Sequence, residues 1–284
     1  MNNPPVEELG SLLSADGRPI IVLSDFDGTL CFEYNHNPNT VDREPIISDK
    51  VILASRGISL VMATARRLDH PNATKPWEVG LVDRGHPIIL ENGGVIATLV
   101  DGAIAGEVAV DNPEQLGLIH GFGDMLKDAI ECPDETQLIA KLGRTMTVLI
   151  LRDDRGRQLP KQQSNEKHAW LAGILDNFPE VSGFNIANSN DSVAIQPLGI
   201  SKASAFKRLL GEFGLDRGEM CVVGMGDGEN DIPIFHEADI AISFSDSEKV
   251  KNQANVQMHG DHLSAAQALC VIQEFSKKNG VVPI

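Results

Sequence analysis

The sequence predicts an α/β fold, an open parallel sheet interrupted by an inserted α+β layer. Two observations carry this. Aliphatic runs at 20–24, 58–63, 87–90, 220–225 and 238–242 each end in a turn or polar segment and alternate with helical patterns. Between about 93 and 197 the alternation gives way to short β-rich runs and two amphipathic helices. The expected division is therefore 1–92, with a polar extension at 1–18, then an insert at 93–197, then 198–284.

The run Ile20–Ser24 leads into Asp25-Phe26-Asp27-Gly28-Thr29. Residues at i and i+2 of an extended segment point to the same side, so the two carboxylates share one space. Like charges that close need a metal or a shared proton. Gly28 lets the chain turn, and the Thr29 hydroxyl can tie the loop. A strand ending in a polar turn would also account for this stretch alone. Cys31–Asp49, rich in Asn, Pro and Asp, reads as an irregular flap. The second run ends in Thr64-Ala65-Arg66, where a hydroxyl serves either a turn or a ligand at the carboxyl edge of a parallel sheet. The third ends in Glu91-Asn92-Gly93-Gly94, a place to hinge.

In the insert, runs at 94–100 and 103–110 join at Asp101-Gly102, a hairpin signal. Asn112 and Pro113 open a helix whose Leu116, Ile119, Phe122, Leu126 and Ile130 keep helical spacing and read as core. A strand at 145–151 follows, then a helix capped at Ser164 or Asn165, then strands at 184–187 and 192–196. Ser201-Lys202 opens the next helix, where the helix dipole gives a cation no reason to sit. Such a lysine is a surface group unless an anion or carboxylates lie opposite. The fourth run ends in Gly226-Asp227-Gly228-Glu229-Asn230-Asp231, and a helix from 264 to about 275 closes the chain.

A formal net charge of −16 argues against a nucleic-acid backbone as partner. An anionic substrate would need a metal or a local cation. The four cysteines form no CxxC pair, so zinc-finger and disulfide frameworks fail and a reducing, cytoplasmic setting is expected. No stretch is long and apolar enough to suggest a membrane partner.

Gathered at one sheet edge, Asp25, Asp27, Asp227 and Asp231 call for a hard divalent cation, and oxygen-only ligands point to Mg²⁺. A carboxylate can attack phosphorus, and a second one two residues on can protonate the leaving oxygen and later deprotonate water. Lys202 and the Thr64 hydroxyl would hold phosphoryl oxygens. The chemistry suggested is phosphoryl transfer through an aspartyl phosphate.

The stretches DFDGT at 25–29, TAR at 64–66, ENGG at 91–94, SKASAF at 201–206 and GDGEND at 226–231 come in one order along nearly the whole chain after residue 19. With them the sequence resembles the haloacid dehalogenase-like (HAD) phosphatases. It is similar in particular to the large-capped branch with sucrose-phosphatase, Cof-type and mannosyl-3-phosphoglycerate phosphatase members. The resemblance implies a Rossmann-like core with an α+β cap, Asp25 as nucleophile and Asp27 as general acid/base. It implies phosphate contacts at Thr64, Ala65, Lys202 and Gly28, and Mg²⁺ held among Asp25, the Asp27 carbonyl, Asp227 and Asn230 or Asp231. Arg66, Asn92 and Asn190 are the candidates for touching the rest of the substrate.

Two departures stand out: Ala65 where the family often has Gly, and Ala194 close to where relatives usually carry an acid, which bears on substrate. The expected function is a Mg²⁺-dependent phosphomonoesterase for a small organic phosphate, with a sugar phosphate foremost. The expected partner is that small ester, and the expected state a monomer or small homo-oligomer. A sugar phosphomutase is the first alternative, and an inactive regulatory protein on the same frame the second.

Overall fold

The computed structural model describes residues 3–35, 44–110, 113–133, 135–189 and 192–284. The segment expected to be a polar extension is largely a helix, α1 (Pro4–Asp16). Prolines suit a first helical turn, where no amide hydrogen is needed, and Leu9 and Leu13, four apart, are buried against the sheet. Strand β1 (Ile20–Ser24) is buried throughout. Ile20 and Val22 join the core on one face and Ile21 and Leu23 the core on the other, as a period of two requires.

The expected flap contains a short antiparallel pair, β2 (Glu33–Asn35) and β3 (Glu44–Ile46). Helix α2 (Asp49–Ser55) follows, its first turn capped by Ser48, and then β4 (Ser59–Ala63), α3 (Lys75–Glu78) and β5 (Ile88–Leu90). The hairpin β6 (Val95–Val100) and β7 (Ala103–Val108) turns at Asp101-Gly102 as expected. Its place differs from the expectation. It pairs antiparallel with β5 and extends the large sheet instead of opening the insert. The short turn at Glu91–Gly93 folds β6 back on the open edge at β5.

Helices α4 (Pro113–Ala129) and α5 (Lys161–Leu175) pack on a separate sheet. It consists of β8 (Thr136–Leu142), β9 (Thr147–Asp153), β10 (Phe184–Asn188) and β11 (Val193–Pro197), in the order β10-β11-β9-β8. Ile119, Phe122, Leu126 and Ile130 sit in the core of this layer, as their spacing predicts, and Asn112 lies outside the described residues. Strand β8 was not read from the sequence. Helix α5 starts before the expected caps: Ser164 lies inside it, with its hydroxyl against His168 Nδ1 at 3.2 Å.

The chain returns through α6 (Lys202–Glu212), β12 (Cys221–Gly226), α7 (Ile232–Glu237), β13 (Ile240–Ser243), α8 (Glu248–Lys251), β14 (Val256–Gln257) and α9 (His262–Asn279). The large sheet runs β14-β13-β12-β1-β4-β5-β6-β7, parallel except at the hairpin. From β1 the chain proceeds to β4 and β5 on one side, and β12 leads to β13 and β14 on the other. The crevice beside β1 is thus the switch point where such sheets bind ligands.

Candidate active site

The residues following β1, β4 and β12 meet at that crevice. Parallel pairing puts Ser24 level with Met225 and with Met62, and the Asp25 amide extends the ladder by donating to the Met225 carbonyl at 2.9 Å. Asp25 is buried, and Lys202 Nζ bridges its Oδ1 and Asp231 Oδ1 at 2.6 Å each. Lys202 is itself 1% exposed, so the lysine with no dipole reason for its place faces carboxylates. Helix α6 is presented squarely: Ser201 caps it and exchanges hydrogen bonds with Ser204. Burial works against the lysine's charge, but Asp231 and Asp25 outweigh it and raise its pKa.

Asp231 Oδ2 accepts from the Asp227 and Gly228 amides at 3.0 Å each, which folds the 226–231 loop into a cup. Asp227 packs on Gly28: a Cβ there would lie 2.2 Å from Asp227 Oδ2, and φ of +80° independently favours glycine. Ligand oxygens of Asp25, Asp227 and Asp231 lie within 4.8 Å of one another. Three carboxylates against one ammonium leave negative charge uncompensated. Burial, then the Asp231 charge, raises Asp227 to about 7 and pushes Asp25 well above the usual carboxylate range. Buried oxygens short of positive charge, with no soft ligand among them, fit a divalent cation such as Mg²⁺.

Asp27 has different surroundings. Arg66 grips its carboxylate as a fork, Nε to Oδ2 at 2.8 Å and Nη2 to Oδ1 at 2.7 Å, and the Tyr34 hydroxyl donates to Oδ1 at 2.7 Å. Burial alone would raise this group, but the Arg66 charge and hydrogen bonds override it and hold Asp27 below the usual range. Thr64 is buried with its hydroxyl 3.5 Å from Asp27 Oδ2, and it accepts from the Arg66 amide at 3.2 Å. Asn230 donates through Nδ2 to Asn92 Oδ1 at 3.2 Å.

Above these groups lies a narrow cavity of about 20 Å³, lined by Ala65, Asn92 and Asn230 and, from the second layer, by Asn188, Ser189 and Ser192 among others. A site of that size admits about one water.

The structure brings together Asp25, Asp27, Gly28, Thr64, Ala65, Asn92, Lys202, Asp227, Asn230 and Asp231. Arg66 is there too, turned to Asp27. Asn190 lies outside the described residues. Sequence reasoning did not identify Tyr34, Asn188, Ser189, Ser192 or the individual part played by Glu91. Glu91 is fully buried with φ of +53°, and its carboxylate accepts from the Leu68, Arg144 and Thr145 amides and the Thr145 hydroxyl at 2.7–3.2 Å. It pins the β8–β9 turn to the expected hinge. The one signal for Tyr34 was that it is the chain's single tyrosine, set in a polar flap.

Residues 158–262 match the family of haloacid dehalogenase-like hydrolases. No curated protein matches the chain significantly. Among solved structures the chain is similar to the C-terminal domain of trehalose-6-phosphate phosphatase from C. albicans (TM-score 0.64, 11% identity, covering 95% of this chain and 97% of that one). It is also similar to a protein described as a HAD/COF-like hydrolase from Plasmodium vivax (TM-score 0.63, 16% identity, covering 95% and 100%). At these identities the likeness speaks for the fold.

Proposed function

We propose that this chain, a haloacid dehalogenase-like hydrolase by family match and fold, is a Mg²⁺-dependent phosphomonoesterase for a small organic phosphate, foremost a sugar phosphate. One observation carries the reading: two carboxylates leave the same strand end into different company, Asp25 beside Lys202, Asp227 and Asp231, and Asp27 beside Arg66 and Tyr34. Asp25 attacks phosphorus, and the P–O bond to the leaving group breaks with its electron pair on the leaving oxygen, which takes a proton from Asp27. Asp27 then removes a proton from water as its oxygen attacks the aspartyl phosphate, releasing phosphate and restoring the Asp25 carboxylate. Lys202, Thr64 and the backbone at Gly28 and Ala65 hold the phosphoryl oxygens.

Asp25, Asp227 and the Asp27 carbonyl would hold Mg²⁺ with Asn230 or Asp231, and the bound ion supplies Lewis-acid neutralisation of the phosphoryl group. Asp231 already accepts three hydrogen bonds, which favours a role in shaping the loop over direct ligation. Asn92 and the polar residues of the second layer face the leaving group. Among the described residues, none that lines the cavity is charged, which supports hydrolysis over a mutase cycle that needs a second phosphate site. The partner in this reading is the small ester, with no nucleic acid or membrane, and the chain acts in the cytoplasm as a monomer or small homo-oligomer. In support, the net charge is −16, and among the described residues no helix is long and apolar enough to cross a membrane.

The test is phosphate release from a panel of phosphorylated metabolites, with Mg²⁺ and with chelator, followed by phosphorus NMR of the products. Release that needs Mg²⁺ and disappears in a folded Asp25→Asn protein is expected. Interconversion of hexose phosphates without free phosphate would favour the mutase, and full activity of Asp25→Asn would end the aspartyl-phosphate reading.

A further inference from the structure

Arg66 is held from several sides. Its guanidinium stacks over Phe26 at 5.0 Å, and its Nη1 donates to the Asn72 carbonyl at 3.4 Å. Its backbone amide binds the Thr64 hydroxyl at 3.2 Å, and its carbonyl accepts from the Glu91 amide at 2.9 Å. The side chain is 10% exposed, so it is fixed in place and is not a solvated arginine that happens to lie near an acid. Tyr34 arrives independently, carried by the short β2–β3 pair, and completes a clamp of three donors on one carboxylate. The fork sets the carboxylate plane, and the phenol fixes which oxygen faces it.

The two half-reactions ask opposite things of Asp27. The first needs it to give a proton to the leaving oxygen. The second needs a correctly aimed lone pair to take a proton from water while the Asp25–phosphorus bond breaks. Three donors fix the plane of the carboxylate and the direction left open for its remaining lone pair, which is what the second step asks for. We infer that Arg66 and Tyr34 are positioning residues that aim Asp27 at the attacking water and thereby drive hydrolysis of the aspartyl phosphate. The inference rests on the phosphatase reading above and adds a role for two residues that touch neither phosphorus nor metal in that scheme.

Kinetics separates this role from substrate binding and from folding. For a two-step reaction, kcat/KM reports events through phosphorylation, whereas kcat also contains the hydrolysis step. The probe is p-nitrophenyl phosphate with Mg²⁺, whose good leaving group asks for no proton in the first step. In Arg66→Ala, kcat should fall about 100-fold, the scale of a misaimed general base, while kcat/KM stays within about threefold and KM falls in parallel. Tyr34→Phe, which removes one hydroxyl and spares the fold, should show the same pattern at about tenfold. Acid-quenched variant protein should carry a phosphoryl group on Asp25 by intact mass. Arg66→Lys keeps the charge without the fork and should not restore kcat.

A rise in KM with kcat kept would make Arg66 a substrate contact and overturn the inference. So would kcat and kcat/KM falling together without phosphoenzyme in Tyr34→Phe, or wild-type kcat in Arg66→Lys. Those results arise in an active wild-type background, whereas a wild-type protein that releases phosphate from no ester removes the phosphatase reading itself and the inference with it.

Discussion

Replacing Lys202 by methionine tests the electrostatic centre of the site. The ammonium is 1% exposed and donates at 2.6 Å to both Asp25 and Asp231. Methionine fills similar space without charge, leaving Asp25, Asp231 and Asp227 facing one another. Removing one partner of a buried ion pair costs about 3–5 kcal/mol. For a chain of this size that lowers Tm by roughly 6–20 °C. Asp25 and Asp227 already have raised pKa values, Asp227 to about 7. A carboxyl group raised on folding contributes stability that is present below its unfolded pKa and lost as pH rises through the folded one. Without Lys202 both rise further, so the deficit should be largest above pH 7 and shrink towards pH 5. Thermal melts of wild type and Lys202→Met in metal-free buffer from pH 5 to 8 measure this. Equal Tm values at pH 8, or a deficit that grows on acidification, would refute the account.

Gly28→Ala should cost about 1–2 kcal/mol for its left-handed backbone alone and displace Asp227. Calorimetric titration should therefore show weakened Mg²⁺ binding, and unchanged affinity would contradict the packing of Asp227 on that glycine. Because Asp227 titrates at about 7 in the metal-free protein, a proton competes with the cation, and Mg²⁺ affinity should fall up to about tenfold per pH unit below 7, with proton uptake or release visible in buffers of different ionisation heat. Asn188 Oδ1 is buried without a hydrogen-bond partner among the described residues, so Asn188→Ala should change KM and the ranking of phosphate esters by about 1–3 kcal/mol of discrimination while leaving Mg²⁺ affinity alone. An unchanged ranking would place leaving-group recognition elsewhere.

Read locally, the sequence specifies the parallel core and most of the residues that gather beside β1. Strand burial, turn chemistry and carboxylate spacing are local properties, written in runs such as Ile20–Thr29 and Gly226–Asp231. Even Lys202 was legible as an anomaly, because a cation in a first helical turn has no local reason to be there. Only tertiary structure decided which edge received the Val95–Val108 hairpin, since a strand pattern does not name its partner. It also decided that α1 forms, because Leu9 and Leu13 find a sheet to cover. The clamp on Asp27 draws Tyr34, Arg66 and Asp27 from three separate loops and strands, and the Glu91 strap draws on residues more than 50 positions away. Contacts of that range depend on how the elements pack together, and neither periodicity nor propensity carries that information.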